Sequence, residues 1–167
     1  MQQHRLAEIA SRDPLTRAGN RRALRHALDE VAGDLARRAT PVSLILLDLD
    51  HFKSINDVYG HDAGDRILVN FVEIVTTRLR DRDGIFRLGG EEFVVILPGT
   101  TLLDAERVAR VLKRTFSTQL EGPGGVVSAS MGVAELSREE SVRQWLSRAD
   151  EALYRAKQAG RDRIVKG

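Results

Sequence analysis

The sequence predicts an α+β fold in which helices flank a central, mostly antiparallel sheet. A nearly continuous apolar run from Leu44 to Leu49 is typical of a strand that is covered on both faces. Two strand-forming runs flank Gly89-Gly90, which is the pattern of a β-hairpin. Amphipathic helical stripes alternate with these strands, and 167 residues suit one domain with one core.

The first half of the chain shows a short connector and then regular elements. Residues 1–12 are predicted to be a connector helix from an upstream domain, because Leu6 and Ile9 are its only apolar anchors. Asn20 is predicted to cap a helix that buries one leucine-rich face. A strand is then expected over residues 42–49 and a helix over about 62–80.

The second half is predicted to continue the same alternation. The hairpin is expected over about 84–97 and a helix over about 102–117. A strand over 126–134 and a last helix over about 141–158 complete the domain, with Gly160 ending that helix. The sequence shows neither an internal repeat nor a second domain.

Composition excludes several classes of function. Lys and Arg total 26 against 24 Asp and Glu, so the net charge of +2 predicts no nucleic-acid surface. Cysteine is absent, which excludes disulfides and thiolate zinc sites. No apolar run approaches about 20 residues, so we expect no direct membrane contact. With no visible signal peptide, we expect a cytoplasmic domain whose parent protein is either free or membrane-tethered.

Acidic residues stand at two predicted strand ends. Asp48 and Asp50 end the apolar strand, and residues i and i+2 lie on one side of a strand, roughly 6.5 Å apart. Like charges placed together require a metal or a proton. Glu91 and Glu92 follow the glycines of the hairpin. A Gly-Gly hairpin with acids is common as plain structure, but the second acidic strand end favours a metal site.

Five segments together resemble the GGDEF-domain diguanylate cyclases in their GGEEF variant. The resemblance covers about residues 13 to 165, and it predicts a GGDEF domain over 13–167. One departure lies in the opening segment, where the family usually continues Gly-Leu-x-Asn-Arg and this chain has Arg17-Ala18-Gly19-Asn20-Arg21. The segments are Asp13-Pro14-Leu15-Thr16 with Asn20-Arg21-Arg22, residues 48–57, residues 59–65, Gly89-Gly90-Glu91-Glu92-Phe93, and residues 152–157 with 160–163.

The resemblance implies a palm-like nucleotidyl-cyclase fold and a defined reaction. Two GTP molecules would be condensed into cyclic di-GMP with release of two pyrophosphates. The implied cofactor is Mg²⁺, with Mn²⁺ as an alternative, held by Asp48, Glu91 and the Leu49 carbonyl. Glu91, Glu92, Asp48 and Lys53 are the implied catalytic residues.

The resemblance also assigns substrate contacts. Asn56 and Asp65 would recognise guanine, although Asn56 followed by Asp57 is also a common turn sequence. Lys157 and Arg161 would contact phosphates, although cations at a helix end are also ordinary dipole partners. The remaining implied contacts are made by Lys53 to phosphate, by Leu15 and Phe52 around the base, and by Gly89 and Gly90 along the nucleotide.

Regulation and assembly follow from the same resemblance. Arg80 and Asp83 stand where the family carries an inhibitory product site for cyclic di-GMP, and the plain alternative is a solvated turn. Catalysis would need a homodimer of domains, and an upstream sensor domain would control it. The alternative function is a catalytically silent module that binds GTP or cyclic di-GMP. A cyclase that uses ATP is disfavoured by Asn56 with Asp65.

Overall fold

The computed structural model describes residues 2, 3, 6 and 10–167. Five helices and seven strands are assigned within these residues. The helices are α1 Arg21–Arg38, α2 Phe52–Tyr59, α3 His61–Arg78, α4 Leu102–Gln119 and α5 Val142–Gln158. The strands are β1 Val42–Leu49, β2 Gly84–Gly89, β3 Glu92–Pro98, β4 Glu121–Gly122, β5 Gly125–Val126, β6 Ala129–Glu135 and β7 Ile164–Lys166.

The central sheet has the order β2-β3-β1-β6-β7. Strand β1 lies in the middle and is antiparallel to both β3 and β6, while the short β7 is parallel to β6. All eight residues of β1 are buried, as its continuous apolar sequence predicts. The predicted α+β fold with a mostly antiparallel sheet is therefore confirmed.

Helices cover both faces of the sheet. Helices α3 and α4 pack on one face, where the ring of Phe71 lies 4.9 Å from the rings of Phe93 and Phe116. Helices α1 and α5 pack on the other face around Trp145, whose Nε1 donates to the Ala134 carbonyl at 2.9 Å. The Asn20 side chain accepts from the Ala23 N–H and caps α1, as predicted.

Several elements differ from the sequence prediction. Helix α2 was not predicted, because Asn56-Asp57 favours a turn and eight residues give little periodicity. The strand predicted over 126–134 is wrong at its start, since Val126 belongs to the small β4–β5 hairpin and β6 begins at Ala129. Strand β7 was also missed, because three residues carry too little pattern to predict.

The predicted connector over residues 1–12 lies partly outside the described residues. Residues 1, 4, 5 and 7–9, including Ile9, belong to that undescribed part. Leu6 has a helical backbone and is 65% exposed. In the part of the chain that the structure describes, none of the helices has the length and apolar character needed to cross a bilayer.

Candidate active site

The turn between β2 and β3 is formed by Gly90 and Glu91. Gly89 is the last residue of β2 and pairs with Glu92, after a register shift at Leu88. The prediction that both glycines occupy the turn is therefore wrong by one position, and a glutamate occupies the second turn position. Gly90 has φ +52°, and a Cβ built on Gly89 or Gly90 meets nothing within 4 Å. The turn thus leaves open space beside its backbone for a ligand.

Arg87 fixes the shape of this turn from the outer side. Its Nε and Nη2 donate to the Gly90 carbonyl at 3.0 and 2.8 Å, and its Nη1 donates to Asp13 at 3.1 Å. Asp13 also accepts from the Thr16 N–H at 2.9 Å and from the Thr16 hydroxyl at 2.7 Å. Burial raises the pKa of Asp13, but the hydrogen bonds from Thr16 and Arg87 outweigh it and hold the pKa below its usual value.

Sequence reasoning missed the link between Asp13 and Arg87. Both residues stand in or beside segments that carry the family resemblance, but 74 positions separate them. No local pattern pairs an acid and a cation at that separation, so only the fold brings them together. The opening segment is therefore a structural support for the hairpin turn.

Asp48 lies at the inner side of the same turn, near the end of β1. It is 6% exposed, and its Oδ2 accepts a hydrogen bond from Lys157 Nζ at 2.5 Å. Burial raises the pKa of Asp48; Lys157 opposes that shift, while the charges of Glu91 and Glu92 add to it. Asp48 is thus a buried carboxylate whose charge is incompletely compensated.

Asp50 does not share this environment. Its two oxygens accept from the hydroxyls of Ser128 and Ser130, both at 2.6 Å, and from the Asp162 N–H at 3.0 Å. The expectation that Asp48 and Asp50 together need a cation is therefore wrong for Asp50. Three protein donors satisfy its charge and tie the end of β1 to β6 and to the loop after α5.

The donor set around Asp48 fits a Mg²⁺ ion that is also bound by substrate. Among the described residues, no three His, Cys, Asp or Glu side chains are placed to hold a metal by themselves. Mg²⁺ usually takes only one or two carboxylates and completes its shell with phosphates and water. The Leu49 N–H donates to the Glu91 carbonyl at 3.3 Å, which brings the end of β1 against the turn. In this structure the Lys157 ammonium is the positive charge that contacts Asp48.

The two residues assigned to guanine lie on adjacent helices. Asn56 is on α2 and Asp65 on α3, and Gly60 with φ +89° makes the corner between these helices. Asp65 is exposed, while the Oδ1 atom of Asn56 is buried and has no hydrogen-bond partner in the described structure. A buried acceptor without a donor is rare in native structures, which distinguishes Asn56 from the other described residues.

The cations assigned to phosphate differ in their surroundings. Lys157 lies in the last turn of α5, with its side chain 30% exposed and held by Asp48. Arg161 follows Gly160 in the turn after α5, has φ +64°, and is exposed. Lys53 is exposed in the first turn of α2. The structure thus brings Lys157 to the carboxylates and leaves Lys53 and Arg161 open to solvent.

Comparison with known proteins agrees with this geometry. A family model described as "Diguanylate cyclase, GGDEF domain" matches residues 10–163. The chain belongs to this family. It is 39% identical over 162 residues to the diguanylate cyclase DgcS of Shewanella oneidensis, and the match covers 97% of this chain and 54% of DgcS. The chain therefore spans about half the length of that curated relative.

Solved GGDEF domains have the same fold. The coiled coil and GGDEF domain of DgcB from Caulobacter crescentus, solved in complex with c-di-GMP, matches with a TM-score of 0.94 and 28% identity over 99% of this chain and 90% of that one. The active GGEEF domain of a Vibrio cholerae diguanylate cyclase matches with a TM-score of 0.84 and 31% identity over 88% and 96%. The expectation of the palm-like fold is confirmed.

In this GGDEF domain, Arg80 and Asp83 stand in the loop between α3 and β2 and line a cavity that Leu15 also lines. They pair with each other, since Arg80 Nε and Nη2 donate to the two Asp83 oxygens at 2.9 and 2.7 Å. Arg80 Nη2 also donates to the Pro98 carbonyl and the Thr100 hydroxyl. The Asp83 side chain is 3% exposed and that of Arg80 is 45% exposed. In this conformation a ligand reaches the arginine and not the aspartate.

Proposed function

We propose that this GGDEF domain is a diguanylate cyclase that condenses two GTP molecules into cyclic di-GMP. In each of two steps a ribose hydroxyl attacks an α-phosphate, a new P–O bond forms, and the bond to the β-phosphate breaks. Pyrophosphate leaves each time. The observation that carries the proposal is Asp48, a buried carboxylate with a raised pKa beside the Gly90–Glu91 turn.

Asp48, Glu91 and the Leu49 carbonyl would hold Mg²⁺ or Mn²⁺. When bound, that metal would stabilise the charge that develops on the phosphates. Glu91 lies on the turn itself and is partly buried, while Glu92 pairs with Asp48 across the strands and is exposed. The protein's own contribution is therefore to present carboxylates at a fixed place before the substrate arrives.

The other assigned residues would bind the nucleotide. Asn56 and Asp65 would recognise guanine, with Leu15 and Phe52 forming the apolar sides of its pocket. The space beside Gly89 and Gly90 would take the ribose and the phosphates. Lys53, Lys157 and Arg161 would donate charge-assisted hydrogen bonds to the phosphates.

Assembly and regulation are further parts of the proposal. Each domain would hold one GTP, so that a homodimer forms the active unit in the cytoplasm under an upstream sensor domain. Arg80 and Asp83 would bind cyclic di-GMP as a product-inhibition site, after their mutual ion pair opens. An arginine of α4 would complete the phosphate contacts.

Incubation of the chain with GTP and Mg²⁺, followed by mass spectrometry of the products, tests the reaction. A fusion to a dimerising leucine zipper supplies the paired state, and Glu91→Gln in the same fusion is the control. Cyclic di-GMP from the wild type and none from the variant is expected, with GTP preferred over ATP. Nucleotide binding without any product in the fused wild type would favour the silent binding module.

Calorimetry with cyclic di-GMP tests the product site separately. The wild type should bind cyclic di-GMP, and Arg80→Ala should bind it more weakly and escape inhibition by added product. Arg37→Ala is a surface control, because Arg37 pairs with Asp34 on α1 at 2.8 Å and its side chain is 68% exposed. Undiminished binding to Arg80→Ala would remove this site from the proposal.

A further inference from the structure

Gly64 lies inside helix α3, where its backbone gives no reason for a glycine. The residue is buried, and its backbone is helical, a conformation that any residue adopts. At such a position alanine is normally the better residue, because glycine loses more conformational freedom on folding. The presence of glycine therefore needs a reason outside the helix.

The reason is the space beside it. A Cβ on Gly64 would lie 1.9 Å from Asn56 Oδ1 and 2.9 Å from Asn56 Cγ, distances that no real structure tolerates. The same Cβ would lie 3.0 Å from Phe52 Cζ. Both neighbours belong to α2, and both are residues that the proposed function assigns to the guanine pocket. The Asn56 carboxamide thus lies directly over the bare backbone of Gly64.

Of these two neighbours, Asn56 is the one that would move. Phe52 is 7% exposed and is part of the main core cluster, so its ring has little freedom. Asn56 is only partly buried, and its Oδ1 has no hydrogen bond from the described residues to hold it. Packing over Gly64 therefore sets the position of the carboxamide.

We infer that Gly64 is a positioning residue that sets the guanine selectivity of the site through Asn56. The inference rests on the proposed role of Asn56 in recognising the base. Guanine presents the donors N1–H and N2–H₂ beside the acceptor O6, and an amide complements that edge only when its two ends are correctly placed. A side chain at position 64 displaces the carboxamide and removes the discrimination against adenine, while the phosphate contacts of Lys157 stay intact.

A double-mutant cycle tests the inference by binding. The variants are Gly64→Ala, Asn56→Ala and the double variant, each titrated with non-hydrolysable analogues of GTP and ATP in the presence of Mg²⁺. Gly64→Ala should weaken binding of the GTP analogue at least about 10-fold and leave binding of the ATP analogue unchanged. The reason is that a lost contact to guanine affects only the nucleotide that carries guanine. The double variant should match Asn56→Ala alone, because the alanine methyl has no carboxamide left to displace.

Gly33→Ala is the matched control for glycine in a helix. Gly33 lies in α1, and its built Cβ would approach only the flexible end of Arg37, at 3.3 Å. This variant should bind both analogues as the wild type does. Equal losses for GTP and ATP in Gly64→Ala would indicate a general structural defect and overturn the inference.

The remaining outcomes separate the inference from the proposed function. If Asn56→Ala itself leaves GTP binding unchanged, the proposed base recognition is wrong. If Asn56→Ala weakens GTP binding and Gly64→Ala does not, the inference is wrong and the proposed function stands. If Gly64→Ala folds poorly, thermal unfolding decides: recovered stability in the double variant supports the contact, and no recovery overturns it.

Discussion

Asp13 and Asp48 lie on opposite sides of the same hairpin turn and have opposite electrostatic environments. Asp13, on the outer side, accepts hydrogen bonds from Thr16 and Arg87, and its pKa is lowered. Asp48, on the inner side, is more deeply buried near Glu91 and Glu92, and its pKa is raised despite the contact with Lys157. Hydrogen-bond donors thus stabilise the charge of Asp13, whereas the charge of Asp48 is only partly compensated.

The opposite pKa shifts of Asp13 and Asp48 indicate that the two acids suit different roles at the turn. Folding stability favours a carboxylate like Asp13, because its ionised form is better stabilised in the folded protein than in water. A metal site needs a carboxylate like Asp48, whose ionised form gains most when a cation arrives. Asp13 thus supports the shape of the turn, and Asp48 is the acid that the proposed function assigns to the metal.

Asp48→Asn should have the largest effect and should separate activity from stability. Product formation should fall at least about 100-fold, the scale on which a lost charge at the reacting centre acts. The stability of the ligand-free protein at pH 7 should not fall, because the raised pKa means that the ionised Asp48 destabilises the folded state. Thermal unfolding of the metal-free protein, and product formation after Mg²⁺ is added to the same preparation, check the two parts.

The pH dependence supplies the control for this prediction. Because the folded-state pKa of Asp48 lies above its usual value of 3.8, its contribution to stability is lost as the pH rises from that value through the raised pKa. Asp48→Asn should remove this decrease. A variant that unfolds at lower temperature than the wild type at neutral pH would mean that the ion pair with Lys157 outweighs burial.

Lys157→Met should have the next largest effect and should act in two directions. Loss of a charge-assisted phosphate contact should weaken GTP binding about 10-fold. In the absence of nucleotide, Mn²⁺ should bind more tightly than to the wild type, because the Lys157 ammonium no longer occupies Asp48. Electron paramagnetic resonance titration with Mn²⁺ measures the second effect without turnover.

Arg155→Met is the matched control on the same helix. Arg155 is exposed, and its recorded side-chain contact is with the Lys166 carbonyl, away from Asp48. It should leave both titrations unchanged. If Lys157→Met binds Mn²⁺ more weakly than the wild type, the ammonium does not compete with the metal and the comparison with Asp13 loses its electrostatic basis.

The sequence predicted the elements and the candidate residues better than it predicted their connections. The apolar run of β1 and the Gly-Gly hairpin were recognisable because burial and turn chemistry leave local patterns. Helix α2 was not predicted, because its sequence contains Asn56-Asp57 and only a few apolar positions. The residues assigned to the site came from the resemblance, and the structure places Asp48, Glu91 and Lys157 together.

Contacts between side chains that are far apart in the chain could not be predicted from the sequence. The period of a strand placed Asp48 and Asp50 on one side and treated them alike, but Ser128, just before β6, and Ser130, on β6, satisfy only Asp50. Likewise, Asp13 meets Arg87 because Gly19 of the opening segment bridges to Phe86 on β2. Local patterns carry no information on which distant donor a carboxylate will meet.

Asp13→Asn should have a smaller effect and should show the reverse behaviour to Asp48→Asn. Stability at pH 7 should fall by about 1–2 kcal/mol, since a carboxylate that accepts several hydrogen bonds in a partly buried site is lost. The lowered pKa means that the wild type holds this stability above pH 3.8 and loses it as the pH falls through the lowered pKa. Chemical denaturation at several pH values measures both.

Product formation by Asp13→Asn should fall less than in Asp48→Asn, because Arg87 still holds the Gly90 carbonyl. Asp34→Asn is the surface control, since Asp34 pairs with Arg37 at 2.8 Å and both side chains are largely exposed. That variant should leave stability unchanged. Equal stability losses in Asp13→Asn and Asp34→Asn would contradict a special role for the opening segment.

Arg17→Gly should have the smallest effect, and it should raise stability. Arg17 has φ +69°, in the left-handed region, and it stands where the family usually has glycine. The left-handed conformation costs a non-glycine residue about 1–2 kcal/mol, and glycine gives back about 0.4–1 kcal/mol through its freer unfolded chain. The balance predicts a gain of up to about 1.6 kcal/mol. Arg25→Gly, at an exposed position within α1, should instead lose about 1 kcal/mol of stability.

Because the opening segment supports the turn by its shape, relief of the backbone strain at Arg17 should leave product formation unchanged. A loss of stability or of activity in Arg17→Gly would show that the Arg17 side chain makes a contribution that outweighs the strain of its backbone.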